Sequence, residues 1–293
     1  MRSLDYNIIS NLFNKRLFEN AKSSLLIKIA KNPNRYIGLY RPSKPYTKII
    51  QNITQSHEIK FGDAFEELIR LNFESLGYKS LERNYYLENG DRINYDQLFS
   101  KDGVVIFIEQ KVRDDHDSTK KRGQIENFEK KLKNLQQLGY TDIRSYIYFI
   151  DDSLRKNKNY YLERIEYLKE FYNCDIYLTY GKELYLSEDI EQNWEGDILF
   201  FLKKWKKSLP ELPKLNFDLD FEDTFNEIKL MSINDLIKLF SNEEIIKQIF
   251  PIIFPSKKTL RILSSFYNNE FIVSGNNKIK KLYLLIDKSI ELY

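Results

Sequence analysis

The chain has 293 residues, 42% of them hydrophobic, and 46 basic against 43 acidic side chains leave a net charge of +3. That length allows one sizeable core with an appendage or two modest domains, and a near-balanced charge is silent about nucleic acid, because distribution outweighs the sum. A single cysteine, Cys174, excludes a disulfide framework, a cysteine-rich metal site and an iron–sulfur cluster. No apolar run reaches the roughly 18 residues needed to span a bilayer, and the first twenty residues carry no signal-peptide segment. The expected setting is therefore soluble, reducing and cytoplasmic, with no membrane partner.

Residues 1–58 read as a helical start followed by an irregular stretch, "KNPNRYIGLYRPSKPYTK" (31–48), where three prolines and a glycine argue against regular structure. Arg35, Arg41, Lys44 and Lys48 alternate there with Tyr36, Tyr40 and Tyr46. Two readings stand: an arm whose cations meet phosphates, or a solvated loop pinned by its tyrosines. Phe61, Phe65, Leu68, Ile69, Phe73 and Leu76 fall at spacings of three and four, which predicts a helix over 59–78 with Gly77 as its stop. Strands follow at 83–88, 92–99 and 103–112, with turns at Asn89-Gly90 and Asp102-Gly103. A helix over 123–138, a buried strand over 145–151, a helix over 158–172, a strand over 174–180 and a helix over 190–207 complete a mixed α/β layer. "KSLPELPKLNFDLD" (207–220) reads as a linker, and 221–293 as a helical domain made mildly basic by Lys257, Lys258, Arg261, Lys278, Lys280 and Lys281.

The strand "GVVIFIEQKV" runs apolar on both faces and then ends in charge. Residues two apart share a face of a strand, so Glu109 and Lys111 point one way and Gln110 the other. Asp96 lies in the preceding strand, and a hairpin places its carboxylate beside that of Glu109. Two carboxylates, a backbone carbonyl (that of Gln110) and several waters make an ordinary Mg²⁺ site, with Lys111 placed to hold an attacking water.

Asp96 with Glu109-Gln110-Lys111 resembles the PD-(D/E)xK nuclease signature, with Tyr95 where the family has proline. The helix "FGDAFEEL" (61–68) resembles the one that opens that core, whose glutamate often joins the metal site. Glu66 is the nearer match and Glu67 the alternative. "GQIENF" (123–128) resembles the Q-x-x-x-Y element of RecB-like nucleases, with Phe128 for the tyrosine, which implies a role for Gln124 near a phosphate or the water. The block from Glu109 to Phe128 is similar to type II restriction endonucleases, and the likeness covers about 59–180. The bland alternative is a surface Glu–Lys pair needing no function.

The resemblance implies a PD-(D/E)xK core over 59–206, a Mg²⁺ cofactor, double-stranded DNA as substrate, a homodimer matching a palindrome, and a cognate methyltransferase encoded nearby. Arg113, Lys120, Lys121 and Arg122 become candidate DNA contacts with Arg35, Arg41 and Lys44, whereas His116 is read as a surface residue. A structure-specific nuclease and a DNA-binding protein with an idle core are the competing functions. No P-loop glycine pattern is present, which excludes that route to ATP-driven chemistry.

Overall fold

The computed structural model describes residues 4–87, 90–115, 117–211 and 213–293. Asn89 of the first expected turn and His116 lie outside the described residues. In chain order the elements are α1 (Tyr6–Phe18), α2 (Ala21–Lys31), α3 (Asn34–Ile37), α4 (Pro45–Ser75), β1 (Lys79–Ser80), β2 (Asn84–Tyr86), β3 (Arg92–Asn94), β4 (Gln97–Lys101), β5 (Val104–Lys111), α5 (Ser118–Gln137), β6 (Ile143–Phe149), α6 (Lys158–Tyr172) and β7 (Asp175–Tyr180). Then come α7 (Glu183–Ser187), α8 (Glu191–Asn193), a π-helical turn (Trp194–Leu199), α9 (Phe200–Lys206), α10 (Phe221–Ile228), α11 (Ile233–Phe240), α12 (Glu243–Gln248), α13 (Phe250–Ile253), α14 (Lys258–Ser274) and α15 (Asn277–Glu291).

The chain divides into two compact units, 1–13 with 61–209 and 14–60 with 210–293. These boundaries differ from the sequence-based ones at 58, 206 and 220. The reason is burial: Leu25, Leu26 and Ile29 of α2, with Tyr36 and Ile49, share one core with Leu236, Leu239, Phe250, Leu263 and Ile286. A segment carrying that much apolar surface joins a core rather than standing off as an arm.

The first unit is built on a five-stranded mixed sheet in the order β1-β4-β5-β6-β7. The pairs β1–β4 and β4–β5 are antiparallel, while β5–β6 and β6–β7 are parallel. Its middle strand is β5, buried on both faces, which is why Val104–Ile108 is apolar throughout. Asp102 and Gly103 both take positive φ, 52° and 87°, and form the two-residue loop that pairs Lys101 with Val104. One sheet face packs Val105, Phe107 and Ile147 against Ile125, Phe128 and Leu132 of α5 and Ile165 and Leu168 of α6.

The expected strand over 92–99 is two strands. Arg92–Asn94 pairs with β2 in a separate two-stranded sheet, and Gln97–Lys101 belongs to the main sheet. Tyr95 and Asp96 make the corner between them.

Prolines mark helix starts more than they prevent helices. Pro33 immediately precedes α3, and Pro45 is the first residue of α4, where its missing N–H would be unpaired anyway. Only 32–33 and 38–44 stay irregular. α4 stops as expected: Gly77 adopts φ 88°, Tyr78 N–H donates to the Phe73 carbonyl at 3.1 Å, and the two rings meet at 4.7 Å. The last helix of the unit, expected over 190–207, is broken by its π-helical turn but still buries Trp194 and Trp205.

Candidate active site

The site forms where β4 begins and β5 ends. The hairpin register sets Gln97 against Ile108, so the next pair outward is Asp96 and Glu109. The regular ladder ends here: Asp96 is at the corner, and its Oδ2 accepts the Gln110 N–H at 2.9 Å. Two carboxylates are thus level on one face, the face that packs on α5.

Lys111 completes the group. Its Nζ donates to Asp96 Oδ2 at 2.9 Å, to Glu109 Oε1 at 2.9 Å and to the Gln110 carbonyl at 2.8 Å. Burial pulls the ammonium's pKa down, but Glu109 and Asp96 together outweigh that and raise it. Lys111 therefore stays charged at neutral pH. A second ammonium, Lys131 of α5, hydrogen-bonds Glu109 Oε2 and lies 3.6 Å from Asp96 Oδ1. Asn127 reaches Glu109 Oε1 at 3.4 Å, and the Arg83 guanidinium donates to the Asp96 carbonyl at 3.0 Å.

Tyr95, standing where the nuclease signature has proline, is fully buried. Its hydroxyl lies 2.8 Å from both the Lys131 carbonyl and Asn134 Oδ1. The corner that carries Asp96 is thereby tied to the turn of α5 that carries Lys131.

Glu66 and Glu67 differ in what each touches. Glu67 pairs with Arg70 one turn along α4. The Glu66 carboxyl lies near the cluster: burial first, then the charge of Asp96, pushes its pKa up to about 8, with Lys111 opposing. Its backbone carbonyl accepts from Gln97 Nε2. Among the described residues no three Asp, Glu, His or Cys side chains converge as a metal cluster, so Glu66 stands beside the Asp96–Glu109 pair and does not complete it. The Gln110 side chain is buried with its amide oxygen unpartnered, so its contribution is the backbone carbonyl that faces Lys111.

The arrangement fits a hard divalent cation. Three oxygens, from Asp96, Glu109 and the Gln110 carbonyl, converge on one positive nitrogen. An all-oxygen donor set of this kind suits Mg²⁺ or its analogues over softer metals.

The raised Glu66 pKa makes a pH prediction for the metal-free protein. A carboxyl whose folded pKa exceeds the unfolded 4.5 stabilises the fold at low pH and loses that contribution as pH rises towards 8. Unfolding midpoints measured in chelator should fall between about pH 5 and 8 for the natural chain, and Glu66→Gln should flatten the slope. Parallel profiles for the two proteins would refute the assignment.

Gln124 lies in the first turns of α5, where its Oε1 accepts from the Tyr161 hydroxyl. Asp117 caps the helix, accepting from Thr119 N–H at 3.1 Å and Lys120 N–H at 2.8 Å. Lys120 and Arg122 are exposed, and Lys121 lies over the Tyr160 ring at 4.5 Å. Arg113 is half-buried just after β5. Asp114 is a structural residue: fully buried, it accepts from Asn157 N–H and Nδ2 and from the Tyr180 hydroxyl. In the other unit Arg35, Arg41 and Lys44 are exposed. Within their stretch Tyr36 is buried, which pins the loop, while Tyr40 is 95% exposed.

Sequence reasoning missed Lys131, Arg83 and Asn127. Lys131 had a readable signal: it shares a helix face with Phe128, Leu132 and Leu135, so its ammonium falls among core residues and needs a carboxylate. Arg83 and Asn127 had none.

A sequence profile for the family described as type II restriction endonuclease, HinfI, matches residues 6–97 and 87–206. No curated protein and no solved structure matches the chain. No described helix is long and apolar enough to cross a membrane.

Proposed function

The chain belongs to the HinfI family of type II restriction endonucleases and is a DNA-cleaving hydrolase, and on that premise we propose that Asp96, Glu109 and Lys111 form a PD-(D/E)xK centre that cuts double-stranded DNA at a short sequence with Mg²⁺. The observation that carries this reading is the triple convergence on the Lys111 ammonium of Asp96, Glu109 and the Gln110 carbonyl. A dication seated among those oxygens would polarise a phosphate oxygen and acidify a water.

Asp96 and Glu109 would hold the ion and so fix where the scissile phosphate sits. Lys111, displaced from the oxygens it now binds, orients the attacking water and offsets charge building on the phosphoryl oxygens. It remains an ammonium, so it does not remove the water's proton. Glu66, beside the pair but outside it, would support the ion without binding it directly. Gln124 has its amide oxygen committed to Tyr161, which makes its amide N–H groups the donors for a phosphate. Arg113, Lys120, Lys121 and Arg122 grip the DNA backbone beside the cut, and Arg35, Arg41 and Lys44 add phosphate contacts elsewhere.

The protein acts as a homodimer on a two-fold site, and a methyltransferase encoded nearby protects host DNA. Incubation with phage DNA and Mg²⁺ should give discrete fragments, and EDTA should abolish them. An unbroken substrate, or a smear without bands, would sink the proposal.

A further inference from the structure

We infer that Lys131 is a built-in counter-ion that competes with the divalent metal for Asp96 and Glu109, and so keeps the DNA-free enzyme nearly empty of metal. The inference rests on the metal centre proposed above and deepens it. It concerns a residue outside the Asp96–Glu109–Lys111 signature.

Each carboxylate divides its two oxygens between two ammoniums. Asp96 offers Oδ2 to Lys111 and Oδ1 to Lys131, and Glu109 offers Oε1 to Lys111 and Oε2 to Lys131. Lys111 follows Glu109 in the same strand and comes with the motif. Lys131 arrives from a different element, on the helix face that packs on the sheet. Its side chain is only 5% exposed, and α5 sets it among Phe128, Leu132 and Leu135.

A leucine or methionine would fill that place without the desolvation penalty of a buried ammonium. The position is also built. Tyr95 ties the Lys131 carbonyl to the corner holding Asp96, so ammonium and carboxylates keep one spacing. Two negative and two positive groups balance, and a dication entering must displace charge that is already satisfied. Lys131 therefore acts on the metal through the two carboxylates, and it need not touch the bond that breaks.

The test is calcium binding to the full chain without DNA, by titration calorimetry, for the natural protein and the variants Asp96→Asn, Lys131→Met and Lys131→Gln. Calcium prefers the same oxygen donors and can be followed without turnover. Removing one positive charge a few ångströms from a dication should tighten binding by at least about tenfold in both Lys131 variants. A merely structural lysine would leave affinity unchanged or weaken it, and either result with the fold intact overturns the inference.

Should adding Asp96→Asn to Lys131→Met leave calcium binding unchanged, or should no variant bind, the metal centre itself fails. Should Asp96→Asn alone lose binding while the Lys131 variants match the natural protein, only the counter-ion role fails. If both Lys131 variants do not fold, ¹⁵N-lysine-labelled natural protein still decides. The ammonium resonances protected by the carboxylate pair should all shift on saturation with calcium, and one that stays fixed overturns the inference.

Discussion

Lys111→Ala should lower DNA cleavage by at least about a thousandfold while leaving DNA affinity within a few-fold. The ammonium donates to both carboxylates and the Gln110 carbonyl, at 2.8 to 2.9 Å. It is the one group of the proposed centre that supplies positive charge to the reaction without binding the metal. Its loss removes an interaction made with the transition state, whereas grip on the duplex comes from basic side chains elsewhere. Removing it also frees one oxygen on each carboxylate, so the folded variant should still take up calcium. Single-turnover cleavage at saturating enzyme, paired with gel-shift titration in calcium, separates the two effects. A variant retaining a tenth of the natural rate would remove Lys111 from the chemistry.

The second large effect is on stability. Asp114→Ala should destabilise the unit containing the sheet by about 3 kcal/mol or more. Asp114 is completely buried just after β5, and its carboxylate accepts from Asn157 N–H at 2.9 Å, Asn157 Nδ2 at 2.8 Å and Tyr180 hydroxyl at 2.9 Å. Alanine removes the carboxylate that these three donors share and unties the segment leading from β5 to α5. The chain has two units, so a single unfolding free energy is not defined for it. Both tryptophans, Trp194 and Trp205, lie in the unit with the sheet, and urea unfolding followed by their fluorescence reports on that unit. Asp114→Asn keeps one oxygen acceptor and should fall between the two. A midpoint for Asp114→Ala within about 1 kcal/mol of the natural protein would show that the segment is held by other means.

The hairpin carrying Asp96 and Glu109 was legible in the sequence because everything about it is local. A two-residue Asp-Gly loop fixes the register, so Asp96 and Glu109 must stand opposite each other at equal distances from the turn. Alternation along the strand then sends Glu109 and Lys111 to one face. The helix ending at Gly77 was legible for the same kind of reason, since a left-handed stop and a period of three and four are short-range signals. The corner at Tyr95 and Asp96 was not. A run of eight residues without glycine or proline reads as one strand, and only the presence of β2 beside its first half divides it.

Periodicity assigns a side chain to a face but does not name what lies across from that face. The sequence by itself determined the β4–β5 hairpin, the pairing of Asp96 with Glu109 and the side on which Lys111 stands. Tertiary structure alone decided that α5 would bring Lys131 to the second oxygen of each carboxylate. It alone set Glu66 beside Asp96 while Glu67 turned to Arg70, and it put residues 14–60 into one core with 210–293. Those outcomes join residues far apart in the chain. The whole core's burial and charge pairing select such contacts, and no short window of sequence contains both partners.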